Sequence, residues 1–201
     1  MTFLIEQVLR TPIQALNWVE KYGGVVRQYL DKGKSPAQTY PISCYNSDPA
    51  CSETDTFTPI TPDDSFMSVV YWEYINGTNI DTRERAYQNA VVQMRFVAWI
   101  NPKKQGVTPS CGLSSIYASD FISRVAAVNN ATVSGIDVQV ITTRARIIEV
   151  DYESVFGKYS YGDKMHLFVQ PYEWFAIDFE FSVQVPNACA SLITIDDAIE
   201  C

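Results

Sequence analysis

The chain has 201 residues, 47% hydrophobic and 19% charged, which is enough apolar material for one substantial core. Its formal net charge of −8 excludes base-sequence reading by a cationic surface, because phosphate neutralisation by Lys and Arg dominates that affinity. The same acidity is neutral about a conduit through which DNA slides without being gripped.

No Gly/Ser linker or charge block divides the sequence, so residues 1–201 are expected to form a single domain. The start, Met1 to Glu6, lacks a basic region and a sustained apolar run, and no stretch approaches the roughly 18 apolar residues of a membrane helix. Cytoplasmic synthesis without a membrane partner is the expectation. The cysteine count is odd, at five (Cys44, Cys51, Cys111, Cys189 and Cys201), which points to free thiols; a Cys44–Cys51 bridge is sterically possible but not expected. Without an export signal, the sequons at Asn76 and Asn130 are chance matches.

Thr11-Pro12-Ile13-Gln14 reads as a helix start, with Thr11 as cap and Pro12 at the first helical position. The spacing predicts a helix over Ile13 to Tyr22, stopped by Gly23-Gly24, after a short helix over 2–10. Val25 to Leu30 fits strand or helix. Between Lys32 and Asp64, Pro36, Pro41, Pro49, Pro59 and Pro62 alternate with small polar residues, predicting a long arm with one short strand around Tyr40 to Cys44. Such an arm either contacts a neighbouring subunit or is a surface excursion.

Ser68 to Ile75 is rich in aromatic and β-branched residues and ends at the turn signal Asn76-Gly77. It should pair antiparallel with Tyr87 to Ile100, where Val92, Met94, Phe96, Ala98 and Ile100 share one face. Asn101-Pro102 breaks that strand. Leu113, Ile116, Tyr117, Phe121, Val125 and Val128 then trace a helix over Ser114 to Val128 that should lie on the sheet. Ile136 to Val150 is a further strand, and Gly157 to Asp163 reads as a Tyr/Gly loop. In the last strand Phe175, Ile177, Phe179, Phe181, Val183 and Val185 alternate with Ala176, Asp178, Glu180, Ser182 and Gln184, as one dry and one wet face require. The predicted class is α+β: an antiparallel sheet with N-terminal and central helices on one face, plus the Pro-rich arm over 32–64.

Catalytic machinery is not evident. The single histidine, His166, has no Gly-x-Ser-x-Gly elbow to serve. Cys44, Cys51, Cys111 and His166 match no zinc spacing, and no phosphate-binding loop is present. Asp178 and Glu180, like Glu149, Asp151 and Glu153, read as wet positions of strands or strand ends. The expectation is no enzyme, no catalytic residue, no cofactor and no metal. Trp72, Trp99 and Trp174 read as core or interface anchors. Tyr159, Tyr161 and Tyr172, in loop-like stretches, read as exposed contact residues.

The order of elements, over Ile13–Tyr22, Ser68–Ile100, Ser114–Val128, Ile136–Val150 and Phe175–Val185, resembles the tail terminator, tail-completion and head–tail connector (neck) proteins of tailed bacteriophages. Gln170 to Phe179 looks like the closing strand of such proteins. The arm over 32–64 is longer than that family's compact pattern. The resemblance implies a virion structural protein, made in the host cytoplasm, that forms a homo-oligomeric ring in the neck or at the head–tail junction. Its partners would be itself and neighbouring neck, portal or tail proteins, with DNA only as passing cargo. Two alternatives stand beside it. One is a small-molecule-binding module using Trp72, Phe96 and Trp99 between sheet and helix. The other is a glycan hydrolase using Asp178, Glu180 or Glu153.

Overall fold

The computed structural model describes residues 2–43, 59–76, 78–81, 87–106, 112–128, 130–133, 136–148 and 151–186. Leu4, Ile5, Val8, Leu9 and Ile13 fall at helical spacing and are all buried, so the first element is the helix α1 (Thr2–Gln14). This corrects the expected start at Thr11: Pro12 sits in the last turn, where its missing N–H removes only one bond. The chain tightens there, with Leu16 N donating to Ile13 O at 3.0 Å. Residues from Lys21 onward are not helical but form β1 (Lys21–Asp31). Gly23-Gly24 lies inside that strand at a register shift, with Gly24 at φ 64°, rather than ending a helix.

β2 (Gln38–Ser43) closes a hairpin with β1; β3 (Ser68–Tyr74), β4 (Asn79–Asp81) and β5 (Tyr87–Ile100) follow. Then come α2 (Leu113–Ala126), β6 (Asn130–Val133), β7 (Ile136–Ile148), the short helix α3 (Tyr152–Phe156), a 3-10 segment over Gly162–Phe168 and β8 (Glu173–Pro186). One sheet holds the eight strands in the order β2-β1-β3-β5-β8-β7-β6, with β4 also paired to β5. The fold is α+β, and every pairing is antiparallel except β1 with β3. That exception follows from the hairpin: β2 turns outward to the sheet edge, so the returning chain enters on the inner side of β1 and runs in its direction.

Of the Pro-rich segment, 32–43 belongs to the hairpin and 59–64 returns to the sheet, where Pro59 bridges to Ile42 and Ile60 N donates to Pro41 O at 2.7 Å. Residues 44–58 lie outside the described residues, as do Cys44, Cys51, Cys111, Cys189, Cys201 and Glu149.

The alternation of β5 and β8 builds two cores. On one face Trp72, Phe96, Phe175, Phe179 and Phe181 meet α1 and α2, with Phe121 stacked on Phe96 at a centroid distance of 3.7 Å. Trp18 seals one end against Tyr117 and Phe175. Burying each such side chain stabilises by about 1.5–3 kcal/mol. On the other face Tyr71, Val97, Trp99 and Ala176 meet Val155, Phe156, Tyr159, Tyr161 and Leu167. Here the expected exposed Tyr/Gly loop is corrected. Tyr159 and Tyr161 are buried, and Tyr172 stacks on Trp99 at 5.2 Å. Among the described residues, this second layer lies over the part of the face that carries Tyr71, Val97, Trp99 and Ala176.

Candidate assembly surface

Cross-strand register places charged side chains in one row where that second layer ends. Glu73 of β3 faces Arg95 of β5, which faces Asp178 of β8, which faces Arg146 of β7. The Arg95 guanidinium clamps Asp178 in a fork, Nε to Oδ1 at 2.6 Å and Nη2 to Oδ2 at 3.0 Å, and Nη1 donates to Ser154 O at 2.8 Å. The fork raises the Arg95 pKa further. Glu73 is buried and accepts from Lys158 Nζ at 2.7 Å and from the Tyr159 hydroxyl at 2.6 Å. Burial first, and the Glu73 charge second, push the Tyr159 phenol far above its usual range. The row thus fastens α3 and the loop after it to the sheet.

Beyond the row, among the described residues, the sheet face is uncovered. Gln93 Nε2 donates to Glu180 Oε2 at 3.2 Å, Thr143 Oγ1 to Glu180 Oε1 at 3.0 Å, and Gln184 Nε2 to Asn89 Oδ1 at 3.0 Å. Val91 and Ile141, both registered on Ser182, are exposed to 40% and 41%, and Tyr87 on the same face to 41%. A shallow depression of about 500 Å³, open to solvent, lies there beside Asn79, Asp81, Asn89, Val91 and Ser182.

The two edges of the sheet differ. At β2, Pro41 supplies no outward donor, its carbonyl is taken by Ile60, and Thr39 O accepts from Ser160 N at 2.7 Å. At the opposite side β6 covers only Ile136 to Gln139 of β7. From Val140 to Ile148 the outer edge of β7 has no strand partner among the described residues.

Trp72 and Phe96 point to the helix face and Trp99 to the other, so the three do not line one pocket, and Phe121 fills the space between sheet and α2. Asp178 is held by Arg95 and Glu180 by Gln93 and Thr143, while Glu153 is exposed on α3, outside that row. His166 is exposed in the 3-10 segment, and Asp151 caps α3 by accepting from Ser154 N at 3.1 Å. Among the described residues no group of three or more His, Cys, Asp or Glu is placed to hold a metal ion, and no helix is long and apolar enough to cross a membrane. The open edge and the bare end of the sheet escaped sequence reasoning; the Arg144-Ala145-Arg146 run inside a β-branched strand was their one visible sign.

No protein-family model and no curated protein matches the sequence.

Proposed function

We propose that the chain is a virion structural protein that forms a homo-oligomeric ring in the neck or at the head–tail junction of a tailed bacteriophage, joining portal to tail around the DNA passage. The observation that carries this reading is the asymmetry of the sheet: among the described residues one end and one long edge are uncovered, while α1 and α2 cover one face and α3 with the 3-10 segment covers part of the other. Head-to-tail burial of such non-identical patches is what closes identical subunits into a ring. The order of elements and the placement of α1 and α2 on one face support the resemblance to terminator and connector proteins. The net charge of −8 is compatible with a wall that does not grip DNA.

Deletion of the coding sequence from the phage genome tests the proposal. The expected lysate holds DNA-filled heads and separate tails that do not join, and supplying the chain restores tailed particles. Normal tailed particles without it would contradict the reading.

A further inference from the structure

Among the described residues, the outer edge of β7 presents about 30 Å of backbone without a strand partner, nine residues at roughly 3.3 Å each, which is a template for an added strand. Its charges restrict what that strand can be. Arg144 and Arg146 stand exposed on this edge with no carboxylate partner among the described residues, and the reason is visible in the rows. Asp178, beside Arg146, gives both oxygens to Arg95; Glu180, beside Arg144, is engaged by Gln93 and Thr143.

Two arrangements are thereby disfavoured. A second copy cannot offer its β2 edge, which is closed by Pro41, Ile60 and Ser160. Twofold pairing of β7 with β7 centred on the open stretch sets Arg144 of one copy directly against Arg144 of the other, with Arg146 diagonal to it, and like charges directly opposite destabilise. The edge fits an acidic, strand-forming segment. The chain contains one. Residues 187–201, outside the described residues, carry Asp196, Asp197 and Glu200, no Lys or Arg, and the apolar and β-branched run Leu192-Ile193-Thr194-Ile195. They follow Pro186, the end of β8, and the six residues to Leu192 span up to about 20 Å when extended, enough to leave the sheet of origin.

We infer that residues 187–201 of one copy dock as an added strand on the β7 edge of the next copy, with Asp196 and Glu200, which share one face of such a strand, set towards Arg144 and Arg146. This rests on the ring reading for the choice of a neighbouring copy, and it supplies the head-to-tail link that a ring needs.

Charge reversal in the full chain tests it. One variant carries Arg144→Glu and Arg146→Glu; another carries Asp196→Lys and Glu200→Lys. Amide exchange over 140–148 and native mass are measured for each alone and for an equimolar mixture. Each variant alone is expected to lose assembly and to exchange at least about tenfold faster along the edge, since unpaired strand amides open freely. The mixture is expected to restore both, because each reversed edge then meets a complementary segment. Unchanged exchange in both single variants overturns the inference; an oligomeric wild type in that case leaves the ring reading standing. Protection lost in each variant but not restored on mixing places the segment on its own sheet and also overturns docking between copies.

Discussion

Phe96 and Phe121 stack at a centroid distance of 3.7 Å and an interplanar angle of 16°, joining the middle of β5 to the middle of α2. Both are fully buried, and Trp72 and Phe179 pack against the Phe121 ring at 5.9 Å each. The pair closes the space between sheet and helix that a bound small molecule would need. Phe121→Ala is expected to cost about 3–5 kcal/mol in urea unfolding, through lost transfer energy and the cavity left behind. A loss below about 1 kcal/mol would mean that the helix does not sit there.

Glu73 is the buried acid of the charged row, and its partners differ in exposure. Lys158 is 40% exposed and so gains little from its ion pair, whereas the Tyr159 hydroxyl is buried with Glu73 as its acceptor. Glu73→Ala is therefore expected to destabilise by about 1–3 kcal/mol, the cost of orphaning a buried donor. Tyr159→Phe in the same background should recover part of that loss. A double-mutant cycle on Glu73 and Tyr159 checks this, with a coupling above about 0.5 kcal/mol expected.

Alkaline pH should loosen the second layer. Burial holds the phenols of Tyr71, Tyr159 and Tyr161 protonated well above their usual range. In the unfolded chain they ionise near pH 10. Above that value the unfolded state has released protons that the folded state still binds, so the pH derivative of stability is negative. The contribution is fully present below about pH 10 and declines as pH rises beyond it. Urea titrations from pH 8 to 11, with phenolate absorbance followed in parallel, should show phenolate appearing together with unfolding. Phenolate that appears fully before unfolding would contradict the burial.

The strands were legible because their period is simple. The alternation from Phe175 to Val185 and from Val92 to Ile100 dictates a dry face, and all of those residues named for it are buried. The same holds for α2, whose buried Leu113, Phe121 and Val125 recur at helical spacing. The N-terminus misled because Thr-Pro and Gly-Gly are local signals, while the stripe from Leu4 to Ile13 is what the sheet buries; tertiary packing outweighed the cap. Tyr159 and Tyr161 looked exposed because the short connection between α3 and the 3-10 segment, where both lie, has no period to read. Their burial comes from Tyr71, Trp99 and Glu73, which lie more than 50 residues away in sequence. The open edge of β7 depends on how far β6 extends beside it, a tertiary fact that no local pattern encodes.

The central claim, a closed ring of identical subunits, is tested most directly by native mass spectrometry with negative-stain imaging. The chain should be measured alone at high concentration and together with the portal and tail proteins of its phage. The account predicts one discrete species whose mass is an integer multiple of 22.7 kDa and whose end-on views show a central hole, formed alone or on meeting the partners. A strict monomer under both conditions would contradict it.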